Sequence, residues 1–156
     1  LQPWHYRIIS QIHNPYIVLH INHPAELTPE VLEVIQKLKQ TGAKLLSQSV
    51  LLKGVNDNVP TLQKLFLELA KNGIQPYYLH QNDPVYWAKH FTVPIKRAIK
   101  IWHQLRPRLS GIAATAKFVI DTPYGYGKVP IPEGGWDFDE SHFRDFRSKK
   151  HSIDLH

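Results

Sequence analysis

The sequence predicts an α/β fold, and three observations carry that prediction. Short apolar, β-branched runs alternate with stretches whose apolar residues recur at the helical period. Each strand–helix unit takes roughly 30 residues, the size of a βαβ unit, which implies a parallel sheet. Polar residues gather where the predicted strands end, and parallel α/β folds bind their ligands there.

The first predicted strand covers residues 16–21, an apolar run that suits burial. Thr28 caps the helix that follows, with Pro29 at its first position. Val31, Leu32, Val34, Ile35 and Leu38 supply its apolar face, and Gly42 ends it. A second strand spans residues 44–52, followed by the turn-rich Gly54-Val55-Asn56-Asp57-Asn58. The second helix starts near Pro60, is striped by Leu62, Leu65, Phe66, Leu69 and Ala70, and stops at Gly73. Residues 75–80 make the third strand. A third helix is predicted over residues 94–105, with Ile95, Ala98, Ile99 and Trp102 inward, and a further strand over 116–120. The Gly- and Pro-rich remainder from Pro123 reads as loop, and residues 6–11 as part of an element interrupted at the start of the chain. This much fits either a flavodoxin-like sheet or part of a (β/α) barrel.

Composition bounds the function. The 156 residues suit one domain, and 42% hydrophobic content excludes a disordered chain. No apolar run approaches the roughly 20 residues of a membrane span. Residues 1–7 lack the pattern of a signal peptide, so a cytoplasmic location is expected. The chain contains neither Cys nor Met, so it forms no disulfide and offers no thiolate ligand. It starts at Leu1, from which a longer parent protein is expected. The net charge is +6, with Arg144, Arg147, Lys149 and Lys150 near the end. Asp137, Asp139, Glu140 and Asp145 interleave with them, which favours a solvated tail or subunit contact over a nucleic-acid surface.

Several polar residues are candidates for chemistry. His20, Asn22 and His23 close the first strand. Residues three apart on a strand face opposite sides, so a metal there needs a turn between the histidines. A polar strand end touching ligand or backbone is the simpler reading, and no metal site is assigned. Gln48 interrupts an apolar strand and bonds either a neighbouring loop or a cofactor. Asp83, after Tyr77-Tyr78-Leu79-His80-Gln81-Asn82, either holds a cation or caps a turn. The stretch Phe118-Val119-Ile120-Asp121-Thr122-Pro123-Tyr124-Gly125-Tyr126-Gly127-Lys128 places an acid at a strand end and a lysine after a glycine loop. Val129 after the lysine excludes a Walker loop. Lys128 is either a surface lysine or an imine-forming one.

Four separated motifs resemble the lysine 2,3-aminomutases over residues 16–135. They are His20-Ile21-Asn22-His23-Pro24, the run from Gln48 through Leu52-Lys53-Gly54-Val55-Asn56-Asp57, Pro76-Tyr77-Tyr78 with Asp83, and Asp121 with Pro123 and Lys128. The resemblance implies a radical S-adenosylmethionine enzyme built on a partial (β/α)6 barrel, of which this would be the carboxy-terminal portion. Residues 1–92 would supply the last βα units, 93–135 a closing segment with the pyridoxal-phosphate lysine, and 136–156 a basic tail. It implies L-lysine to β-lysine conversion by a radical shift of the amino group. The implied cofactors are S-adenosylmethionine, a 4Fe–4S cluster bound outside this chain, and pyridoxal phosphate. By resemblance Lys128 forms the imine, Asp83 and Asp121 hold the substrate's ε-ammonium, and Gln48 and His20 lie near S-adenosylmethionine. An amino-terminal radical half of the same protein and a homo-oligomer are the implied partners.

The sequence departs from the pattern in three ways. It has no C-x3-C-x2-C cluster motif and no cysteines for an inter-subunit zinc. Its loop reads Pro-Tyr-Gly-Tyr-Gly-Lys where known members carry more glycines, with Tyr124 and Tyr126 placed to narrow the loop or stack on cofactor. Two alternatives stay open: a non-catalytic remnant that binds pyridoxal phosphate or a partner, and the related mutase whose product is attached to a translation factor. Asp121 and Lys128 favour the mutase of free lysine.

Overall fold

The structure is a computed structural model and describes residues 1–83, 85–121, 127–132, 137–138, 142–144 and 149–152. The elements are α1 (Pro3–Gln11), β1 (Tyr16–His20), α2 (Pro29–Gln40), β2 (Lys44–Leu51), α3 (Val59–Lys71), β3 (Ile74–Gln81), α4 (Ile95–Leu105), β4 (Lys117–Asp121) and β5 (Lys128–Pro130). Three short strands follow, β6 (Asp137–Phe138), β7 (His142–Arg144) and β8 (Lys150–Ser152), paired antiparallel in a small separate sheet. The main sheet has the order β1-β2-β3-β4-β5. The pairs from β1 to β4 are parallel, and β5 runs antiparallel to β4. The order follows the sequence without the reversal that defines a doubly wound sheet, so the flavodoxin-like alternative is not what is observed.

Local chemistry explains the boundaries. The Asn58 side chain accepts from the Thr61 N–H at 2.9 Å and caps α3, with Pro60 inside the first turn. Thr28 caps α2 in the same manner. Gly73, at a φ of 76°, takes the left-handed turn into β3. In β2 the residues alternate: Leu45, Ser47, Ser49 and Leu51 are buried, and Leu46, Gln48 and Val50 are half-buried. Leu45 and Leu51 join Ile35 and Leu38 of α2, Leu62, Leu65, Phe66 and Leu69 of α3, and Ala98, Ile101, Trp102 and Leu105 of α4 in one core. Trp102 and Phe118 meet there with ring centroids 6.0 Å apart.

Five features differ from expectation. β1, read as a buried strand, lies at the edge of the sheet and has no buried residue, with Tyr16 and Val18 exposed. Residues 3–11 form a whole helix, begun by Pro3 in its first turn. Ile95 is 41% exposed, because it opens α4 before the helix has turned its apolar face inward. Val31 is exposed for the same reason at the start of α2. The segment read as loop from Pro123 contains β5 to β8, whose strands of two or three residues are too short to show alternation. Tyr124 and Tyr126 lie outside the described residues, as does most of the basic tail.

Candidate active site

Paired residues in a parallel sheet point to the same face, so the register assigns the candidates to sides. His20 pairs with Gln48, and Gln48 with Tyr78. Val50 pairs with His80, and His80 with Val119. Asp121 follows two residues later and lies opposite Lys128. His20, Gln48, Tyr78, His80, Asp121 and Lys128 therefore share the face away from the main core. His20 is exposed and Gln48 half-buried, paired in one row at the carboxyl end of β1.

A bulge adjusts the third strand. Ser47 pairs with Pro76 and Gln48 with Tyr78, which leaves Tyr77 as an extra residue. Pro76 has no N–H to give a ladder, so it suits this break. The bulge turns two successive tyrosines to the same side. Their rings lie 4.0 Å apart and their hydroxyls bond at 3.2 Å. Tyr78 meets His80 edge-on at 5.6 Å. The bond to Tyr77, burial and the charge of Asp121 raise the Tyr78 pKa.

The centre of the cluster is Asp121. Its Oδ1 is 3.4 Å from Lys128 Nζ, and its Oδ2 is 3.4 Å from His80 Nδ1. Lys128 and Asp121 are each 37% exposed at the side chain, whereas the His80 side chain is 11% exposed. Burial lowers the His80 pKa; the charge of Asp121 opposes this, Lys128 adds to it, and Asp83 opposes it. Asp83 is exposed, just past β3, and its charge reaches the same imidazole as that of Asp121. His80 was visible only as one polar residue of a strand end; its place two residues after Tyr78, on the same face, was the available signal.

Other polar motif residues hold backbone together. Asn56 is fully buried; its Nδ2 donates to the carbonyls of Asn22 and Val50 at 2.7 and 2.8 Å, and its Oδ1 accepts from Leu52 N–H at 2.7 Å. Asn22 Oδ1 accepts from Val50 N–H at 2.7 Å, and Ser49 donates to the Ile21 carbonyl. His23 Nδ1 accepts from Ala25 N–H, and Glu26 accepts from the N–H groups of Asn22 and His23. The His-Ile-Asn-His and Gly-Val-Asn-Asp motifs thus clasp the carboxyl ends of β1 and β2. Asn82 donates to the Ala88 carbonyl and to Thr92, and Gln81 to the Val93 carbonyl, which anchors the segment after Asp83.

No protein-family model matches the chain. Relatives match over most of it. It is 37% identical to the L-lysine 2,3-aminomutase of Fusobacterium nucleatum over 124 residues, which is 80% of this chain and 29% of that protein. It is 38% identical to the L-lysine 2,3-aminomutase of Clostridium subterminale, covering 80% of this chain and 30% of that one. The chain belongs to the lysine 2,3-aminomutase family. It spans about 30% of the length of the curated relatives it matches. The family includes different substrates: the glutamate 2,3-aminomutase of Clostridioides difficile is 36% identical over 124 residues, covering 80% of this chain and 29% of that protein. Among the described residues, no helix is long and apolar enough to cross a membrane.

Proposed function

We propose that the chain carries the substrate-ammonium and cofactor-lysine end of an amino-acid 2,3-aminomutase that converts L-lysine to β-lysine. The observation that carries this reading is Asp121 set between Lys128 and His80, with the charge of Asp83 acting on the His80 imidazole as well. β1 to β3 are then the last strands of a partial (β/α)6 barrel, β4 and β5 belong to the closing segment, and the lumen is the face bearing these residues. The consecutive parallel order of the strands and the one-sided main core support that assignment. The radical-generating half, with the 4Fe–4S cluster and most contacts to S-adenosylmethionine, belongs to the rest of the protein, since this chain has no cysteine. His20 and Gln48, adjacent on the lumen face, are the residues offered here towards S-adenosylmethionine.

The residues fit pyridoxal phosphate at its amine-binding end. Gly127, at a φ of 67°, turns the chain into β5, and β5 delivers the Lys128 amine to the polar face. When bound, that cofactor supplies an aldehyde that captures amines and a π system that spreads an unpaired electron. Lys128 would hold it. Asp83 and Asp121 select a substrate with a terminal ammonium, because a carboxylate binds an amine through charge-assisted hydrogen bonds and repels a second carboxylate. This favours lysine over glutamate, a distinction that relatives of similar identity leave open.

The test compares turnover of L-lysine and L-glutamate by the full-length protein. The Asp121→Asn variant should lower kcat/KM for lysine by roughly a hundredfold or more, a loss of about 3 kcal/mol in transition-state binding. Turnover of glutamate in preference to lysine by the unmodified protein contradicts the proposal.

A further inference from the structure

His80 has a place beside Asp121 but no assigned chemistry. His80 approaches the Asp121 carboxylate from β3, on the side opposite Lys128. A carboxylate only accepts hydrogen bonds, so the His80 nitrogen facing it carries the proton, and the tautomer is Nδ1–H. Nε2 is then a bare acceptor, and it is buried without a hydrogen-bond partner among the described residues. Protonation would put an N–H and a positive charge in that dry position. Among the described residues, the charged and titratable groups facing the imidazole are Asp121 from β4, Lys128 from β5, Asp83 beyond the end of β3, and Tyr78 on its own strand.

Resting on the assignment of Asp121 to the substrate ammonium, we propose that His80 is a positioning residue that makes amine binding conditional on its own neutrality. Neutral His80 faces Oδ2 through Nδ1–H and leaves Oδ1, which meets Lys128 here, for the substrate amine once Lys128 holds the cofactor. Protonated His80 is a second cation on the same carboxylate and competes with that amine. Burial supports this by holding the imidazole below its ordinary 6.5, so the group is neutral at pH 7 and charges only in more acidic solution. The amino groups of free lysine do not titrate in that range, so the change belongs to the protein.

The experiment measures L-lysine binding by calorimetry to the full-length protein, loaded with pyridoxal phosphate and free of S-adenosylmethionine so that nothing turns over. Below the His80 transition the Kd should rise by roughly tenfold per pH unit, the slope of one competing proton. His80→Asn keeps a donor near the Nδ1 position but cannot titrate, so its Kd should stay flat with pH. His80→Leu has no donor and should bind lysine roughly tenfold more weakly at neutral pH. By reciprocity, saturating L-lysine should shift the His80 titration, followed by NMR in the unmodified protein, to lower pH. A His80→Asn variant that keeps the parent slope, or a His80 titration that lysine leaves in place, overturns the proposal. Asp121→Asn separates the two levels: if it binds lysine as the parent does, the ammonium site itself is misassigned.

Discussion

Replacing Asn56 tests whether the Gly-Val-Asn-Asp motif is a structural clasp. The side chain is fully buried and makes three hydrogen bonds, to the Asn22 and Val50 carbonyls and the Leu52 N–H. Asn56→Ala leaves two carbonyls and one N–H without that partner. At about 1 to 1.5 kcal/mol per bond lost in a largely buried site, the cost is about 3 to 4 kcal/mol. That is a large part of the 5 to 15 kcal/mol, roughly, that holds an ordinary domain together. In urea that loss lowers the unfolding midpoint by the lost free energy divided by the m-value. Asn56→Asp has the same shape but aims a carboxylate at two carbonyl oxygens, so it should cost at least as much at neutral pH and recover partly when protonated in acid. The assay is equilibrium urea unfolding of the full-length protein, followed by circular dichroism. A loss under about 1 kcal/mol for Asn56→Ala, with Asn56→Asp equally mild, refutes the clasp.

Two further outcomes follow from local geometry. Asn58→Ala removes the cap on α3, whose bond to Thr61 is 2.9 Å long, and should cost about 1 kcal/mol in the same unfolding assay. The buried His80 has a lowered folded-state pKa, so below pH 6.5 the unfolded chain takes up this proton first. Its stabilising contribution is complete above pH 6.5 and declines as pH falls through the folded value; His80→Asn should remove that component from the pH dependence of the urea midpoint.

Much of the fold was legible because it is written in long periodic segments. β1, β2, β3 and the helices between them carry clear apolar stripes, and Thr28, Asn58, Gly42 and Gly73 mark their ends. Short elements were not legible. β5 has three residues, and its pairing with β4 depends on long-range contacts that no local pattern records. Ile95 was placed inward on periodicity alone, which cannot tell the first residue of a helix from one in its middle.

The candidate site is legible in part. Chemical type singles out Asp121 and Lys128, which face each other across β4 and β5. His80 was passed over because a histidine in a polar strand end looks ordinary until the register puts it beside Asp121. The bulge at Tyr77 shifts the alternation of β3 by one residue, so counting by twos from Ile74 assigns Tyr78 and His80 to the wrong face.

The most direct measurement of the account is where pyridoxal phosphate attaches. The full-length protein is incubated with pyridoxal phosphate, reduced with borohydride, digested and mapped by mass spectrometry. One pyridoxyl group is expected on Lys128, absent from Lys128→Ala. A pyridoxyl group on another lysine, with Lys128 unmodified, contradicts this assignment.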